Sequence, residues 1–345
     1  MKDFASDNHA GAHPDVLAAM AAANHGHTGA YGGDPWTERV EELFRSHFGA
    51  DARGFPVFNG SGANVTSLDS LTRSFEAVIC TDTAHMHVDE CGAPERVAGT
   101  KLYTVATPHG KLEPGDLGRW EARRGDDHHA QQRVVSMTQS TELGTVYTLD
   151  ETRAIADATH ELGMLLHVDG ARLANAAASL GCSLRELTTN CGVDVVSFGA
   201  TKNGLAFGDS VVFLRPELAD GFEFVRKQLG QLASKMRFLS AQLEALLAGD
   251  LWLENARAAN AMASRLAEGV RDLPGLEIIH PVEANAVFAR LPRTAIDRLL
   301  AELPGEPPFH VWDEVQDVVR WMCAWDTSAE DVDEFAAAVE SALRR

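Results

Sequence analysis

Lys202 follows the run Val195-Val196-Ser197-Phe198 and is framed by Gly199 and Gly204. The run reads as a buried strand, and an amine carried just past its end is drawn toward low dielectric, which disfavours the ammonium form. A partly neutral lysine is what Schiff-base chemistry with a carbonyl compound requires. A solvated loop lysine is the competing reading. Two more charged residues bear on the choice. Asp169 ends a second apolar run, Met164-Leu165-Leu166-His167-Val168. A carboxylate there is costly without a partner; it either caps the following helix or holds a proton on a ring nitrogen. Arg172 stands about one helical turn further on, where its guanidinium offers a fork of donors to an oxygen anion. Lysine, aspartate and arginine at neighbouring strand ends are the set that a pyridoxal phosphate site needs.

Other segments carry weaker signals. Asn59-Gly60-Ser61-Gly62-Ala63-Asn64 follows the apolar Pro56-Val57-Phe58. Small residues there let backbone N–H groups approach an anion at a helix N-terminus. No GK[ST] follows, so this is not a nucleotide-triphosphate loop. His85, His87, Asp89, Glu90 and Cys91 cluster after the strand-like Ala77-Val78-Ile79-Cys80. Their spacing suits a structural metal poorly, and His85 is better read as stacking on a flat cofactor; no metal is expected. His128-His129 lies in a polar segment. Arg320 interrupts Val318-Val319-Arg320-Trp321-Met322. A guanidinium in an apolar strand needs an anion, supplied by an internal salt bridge or by a substrate carboxylate.

These residues must be positioned by an alternating α/β scaffold. The predicted strands are Val134–Met137, Met164–Val168, Val193–Phe198 and Ser210–Leu214. The capping box Thr148-Leu149-Asp150-Glu151 opens a helix that Gly163 closes, and a helix from Ala171 ends at Gly181. Such a pattern makes a parallel sheet covered by helices, whose ligands bind beyond the carboxyl ends of the strands. After about residue 246 the pattern changes to a long helix, Leu251 to Arg271, short strands around 276–279, 286–288 and 318–325, and a closing helix from Asp331 to Leu343. The expected division is a large domain over 1–245, including an N-terminal arm, and a small α+β domain over 246–345.

The 345 residues carry a formal net charge of -20, which argues against nucleic acid or an anionic membrane surface as partner. No apolar stretch approaches a membrane span, and no signal peptide is read at the start. The five cysteines lack framework spacing, as expected of a reduced, cytoplasmic protein.

The chain resembles the low-specificity L-threonine aldolases, fold-type-I pyridoxal-phosphate enzymes, over nearly its whole length. The resemblance rests on Ser6-Asp7-Asn8, Ala30-Tyr31-Gly32-Gly33-Asp34-Pro35, the Asn59 to Asn64 turn, Ala84-His85, His167-Val168-Asp169-Gly170-Ala171-Arg172 and Thr201-Lys202. Gln228 to Arg237 and Met322 to Thr327 look like a bacterial subgroup acting on threonine and phenylserine-type substrates. It implies a mostly parallel seven-stranded sheet in the large domain and reversible cleavage of β-hydroxy-α-amino acids to glycine and an aldehyde. It implies that Lys202 carries the cofactor as an imine, Asp169 pairs with the pyridine nitrogen, and Gly60 and Ser61 hold the phosphate. Arg172 would lie near the phenolic oxygen and the substrate carboxylate, which Ser6 and Arg320 would bind. His85 would stack on the ring near the substrate hydroxyl, with His128 the second histidine there. Homotetramers with sites shared across a dimer interface are implied, Tyr31 belonging to the shared wall. Leu232 to Arg237 departs from the glycine-rich stretch of the better-known branch, leaving Lys227, Lys235 and Arg237 as alternatives for a phosphate contact from the neighbouring subunit. A β-eliminating lyase or aminotransferase is the alternative within the cofactor class; a catalytically silent scaffold or a zinc hydrolase lies outside it.

Overall fold

Every residue of the strand Leu165–Gly170 is buried, as its continuous apolar run requires of a strand covered on both faces. The computed structural model describes residues 2–305 and 307–344. In it this strand, β5, lies at the centre of a seven-stranded sheet. The others are β1 (Arg53–Val57), β2 (Glu76–Thr81), β3 (Lys101–Val105), β4 (Gln131–Thr138), β6 (Val195–Phe198) and β7 (Asp209–Phe213). Their order is β1-β7-β6-β5-β4-β2-β3. The run from β3 to β6 is parallel, whereas β7 pairs antiparallel with both β6 and β1.

The reversal at β7 has a simple cause. A parallel partner needs a crossover of about a dozen residues or more, usually a helix. Only residues 199–208 separate β6 from β7, so the chain folds straight back. The return loop therefore crosses the carboxyl edge of the sheet, and Lys202 sits on it. Asp209 fastens the loop: its Oδ1 accepts the N–H groups of Ala200 (2.7 Å) and Thr201 (3.0 Å). Gly199 allows the loop to lie against β5, since a Cβ there would stand 2.5 Å from the Ala171 backbone.

The predicted helix signals are realised. Thr148 and Glu151 form both bonds of the capping box on the helix Leu149–Glu161, and Gly181 in the left-handed conformation caps Leu173–Leu180. Beyond it, a four-stranded antiparallel sheet has the order β10-β11-β9-β8, built from β8 (Glu277–Ile278), β9 (Ala286–Arg290), β10 (His310–Asp313) and β11 (Val318–Met322). The strand His310–Asp313 and the helix Arg293–Glu302 add to the small sheet elements beyond those read from the sequence. No helix among the described residues is long and apolar enough to cross a membrane.

The helix Leu251–Val270 serves two cores. Trp252 and Ala256 pack into the core of the large sheet; Ala263, Leu266, Ala267 and Val270 pack into that of the small sheet. The N-terminus joins the second core as well. Phe4 donates its N–H to the Pro308 carbonyl (2.7 Å) and accepts from Met322 N–H (2.8 Å). Its ring lies 4.3 Å from that of Phe335, which also contacts Phe309 and Trp321. Phe335→Ala is expected to cost about 3–5 kcal/mol of stability, read by urea unfolding, and to speed proteolysis of the N-terminal segment it anchors.

Candidate active site

A cavity of about 430 Å³ opens at the carboxyl edge of the large sheet, within the size range of small-molecule sites. Its walls include Gly60, Ser61, His85, Asp169 and Lys202. Five residues expected together from the sequence are therefore brought together, from the helix after β1, the turn after β2, the end of β5 and the loop after β6.

Lys202 is half-buried, and its amine makes no hydrogen bond or ion pair among the described residues. Desolvation, with the nearby Arg172 guanidinium, holds its pKa below the usual lysine range; Asp7, Asp169 and Asp209 oppose this. Asp169 is buried, with Oδ1 accepting Ala171 N–H (3.0 Å) and Oδ2 accepting the Asn64 side-chain amide (2.8 Å). At the opposite wall the helix Gly60–Leu71 begins, its N-cap Asn59 accepting the Gly62 N–H at 2.7 Å. The N–H groups of Gly60 and Ser61 have no acceptor among the described residues. They point out of a helix N-terminus that favours an anion.

Arg172 commits two nitrogens to a residue the sequence reading quoted only as part of a motif. Its Nε and Nη2 donate to Asp7 at 2.7 and 2.9 Å. Burial pushes the Asp7 carboxyl up, but Arg172 outweighs this and holds it below the usual carboxylate range. Arg320 has no carboxylate partner among the described residues, so the internal salt bridge is not formed. Its Nη2 donates to the Ala5 carbonyl (3.2 Å), its Nε is buried without an acceptor, and its guanidinium lies 5.3 Å from the Trp312 ring centre. Burial and the Arg172 charge push its pKa down to about 10. Ser6 adjoins Ala5, but its hydroxyl accepts from Asn8 N–H and faces a neighbouring recess rather than this cavity. Tyr31 is half exposed, with the Lys227 ammonium 4.6 Å from its ring centre.

Within one chain His128 is not brought to this cavity. It lies on the turn that leads into β4, at the opposite edge of the sheet, with a side chain 88% exposed beside Asp127. Eight residues of β4 separate that turn from the carboxyl edge, about 26 Å at 3.3 Å per residue. The residue found at that edge is Glu142. Its Oε1 accepts His85 N–H (2.9 Å) and the Thr138 hydroxyl (2.7 Å), while Oε2 is buried without a partner. No histidine or cysteine pattern marks this segment, so the sequence gives it no chemical signature.

His85 itself is paired. Its Nδ1 lies 2.9 Å from Glu90 Oε1, and this bond, against the opposing effect of burial, holds its pKa above the usual histidine range. Glu90 was visible in the sequence only as one member of a cluster unsuited to a metal. The only grouping with metal-ligand geometry among the described residues is the exposed Asp126, Asp127 and His128.

Burial, reinforced by Asp169, pushes the Glu142 carboxyl up to about 7. Its folded pKa is thus above its unfolded value, so the stability it allows is complete below about pH 4.5 and is lost as pH rises toward 7. Glu142→Gln removes that loss. Between pH 5 and pH 8 the variant is expected to gain on the order of 2–3 kcal/mol on the wild type, measured by urea unfolding at both pH values.

Comparison with known proteins identifies the family. The family model for β-eliminating lyases matches residues 3–293. A low-specificity L-threonine aldolase of Pseudomonas aeruginosa is 48% identical, the alignment covering 97% of this chain and 96% of the relative. Another, from Pseudomonas sp., is 45% identical over 99% of this chain and 98% of the relative. The structure of a Leishmania major threonine aldolase superposes with a TM-score of 0.91 at 28% identity, covering 99% of this chain and 100% of that one. The chain is a lyase of the β-eliminating lyase family, and within it belongs to the low-specificity L-threonine aldolases.

Proposed function

We propose that the protein cleaves L-threonine, L-allo-threonine and related β-hydroxy-α-amino acids such as phenylserine, reversibly, to glycine and an aldehyde, with pyridoxal phosphate bound at Lys202. The observation that carries this reading is the Lys202 amine, desolvated and without a hydrogen-bonding partner in the cavity that Asp169 also lines. The residues fit the cofactor. Lys202 would hold its aldehyde carbon, Asp169 a ring N–H, and the free N–H groups of Gly60 and Ser61 its phosphate. His85 would lie against the ring. When bound, the cofactor supplies an electron sink for the pair released at Cα.

The chain's own groups do the rest. Arg320, unpaired in a partly buried strand position, is the candidate to bind the substrate carboxylate and so orient the Cα–Cβ bond. The uncommitted Nη1 of Arg172 is a further candidate, and Ser6 would join it by turning its hydroxyl from the neighbouring recess toward the cavity. His85 accepts the β-hydroxyl proton. The O–H electron pair becomes the second bond of the aldehyde carbonyl, the Cα–Cβ pair stays with Cα, and a proton added there completes glycine. The high His85 pKa means this base is available as pH rises through its titration. A homotetramer with Tyr31 and Lys227 beside a dimer boundary, and a reducing cytoplasm suited to five free cysteines, complete the reading. A lysine or arginine among Lys227, Lys235 and Arg237 would reach the neighbouring phosphate.

Purified protein incubated with L-threonine or L-allo-threonine is expected to release acetaldehyde and glycine in equal amounts; ammonia with a 2-oxo acid instead would overturn the assignment. Lys202→Ala is expected to lose the cofactor's visible absorption and the activity together. Arg320→Met is expected to raise KM roughly 100-fold, the loss of two charge-assisted hydrogen bonds, with a smaller effect on kcat.

A further inference from the structure

We propose that Glu90 is a positioning residue that fixes the tautomer of His85, and that Asn64 joins this pair to Asp169 as one unit. This rests on the base role proposed above for His85. Two groups converge on one oxygen: Glu90 Oε1 lies 2.9 Å from the Asn64 side-chain nitrogen and 2.9 Å from His85 Nδ1. Asn64 spans two carboxylates, since the same nitrogen donates to Asp169 Oδ2 at 2.8 Å. Both neighbours of that amide nitrogen are acceptors, which sets the orientation of the amide.

It follows that Glu90 Oε1 accepts in both bonds, so His85 Nδ1 carries a hydrogen. In the neutral ring the lone pair then resides on Nε2. The Glu90 side chain is fully buried, whereas that of His85 is 40% exposed and lines the cavity. Nε2 is therefore the nitrogen left for a substrate hydroxyl. A histidine held by a carboxylate on one nitrogen and working through the other is the general logic of an oriented base. The charged groups facing His85 are Glu90 and Asp169, which favour its protonation, and Lys202, which opposes it; Glu142 holds its backbone N–H.

The test uses the holoenzyme and two variants that must move in opposite directions. Diethyl pyrocarbonate labels a neutral imidazole nitrogen, and labelling at His85, followed by peptide mass spectrometry across pH, reports its titration without reference to turnover. Glu90→Gln is expected to shift the midpoint down by about one pH unit, the loss of an adjacent carboxylate. The acid limb of kcat/KM for L-threonine should move with it. Asn64→Ala removes the donor that competes for Glu90 Oε1 and is expected to shift both upward. General damage to the site would move the two variants the same way and would overturn the proposal, as would a midpoint unchanged by Glu90→Gln. A labelling midpoint that moves while the kcat/KM limb stays fixed would also overturn it, by removing His85 from the rate. Absence of any aldol cleavage in the wild type, with the labelling shifts intact, would instead sink the functional reading and leave the pairing standing.

Discussion

The bidentate pair between Arg172 and Asp7 is the constraint on which the rest of the site depends. It joins residues 165 positions apart, Asp7 buried and Arg172 mostly so. Burying either charge alone costs several kcal/mol, and removing one partner of such a pair is usually worth about 3–5 kcal/mol. Asn285 donates to the same Asp7 oxygen at 3.0 Å and to the Cys323 carbonyl at 2.8 Å. The pair thus fastens the N-terminal segment, the strand exit that carries Asp169, and the small sheet to one another. With Phe4 bound beside β11, the path of residues 4–8 is set at both ends. Arg172 in turn disfavours the charged forms of Lys202 and Arg320.

The site is a balance of buried charge inside a strongly acidic protein. Asp7, Asp169, Glu90, Glu142 and Asp209 gather around Arg172, Lys202 and Arg320. Each carboxylate has a distinct set of donors: a guanidinium with an asparagine amide, an asparagine amide with a backbone N–H, an asparagine with a histidine, a hydroxyl with a backbone N–H, and two loop amides. The positive side is less well matched. Among the described residues Lys202 has no hydrogen-bonding partner and Arg320 donates only to a carbonyl. Unmatched donors in a desolvated cavity are what an anionic amino acid and a phosphorylated cofactor can satisfy, whatever the global charge.

Much of this could be read from particular residues. The apolar runs before Asp169 and Lys202 announce buried strands, and the polar residue ending each must lie at the sheet's carboxyl edge. The capping box at Thr148 and the glycine at 181 mark helix ends by local chemistry alone. The hidden parts depend on contacts distant in sequence. Asp7 acquires meaning only from Arg172, and Glu90 only from Asn64 and His85. Glu142 lies in a stretch of small polar residues whose role comes from the carboxyl end of β4 meeting the turn after β2. His128 stands before β4, and that position, which its residue type does not announce, decides which edge of the sheet it occupies in its own chain. The strand His310–Asp313 is only partly buried along its length, so it carries no alternating pattern.

The helix Leu251–Val270 contributes buried side chains to both hydrophobic cores. Two units that share such an element are coupled in stability, because unravelling either one strips apolar contacts from the other. A sequence change in the small sheet, remote from Lys202, therefore draws on the same reserve of stability that keeps the cavity assembled.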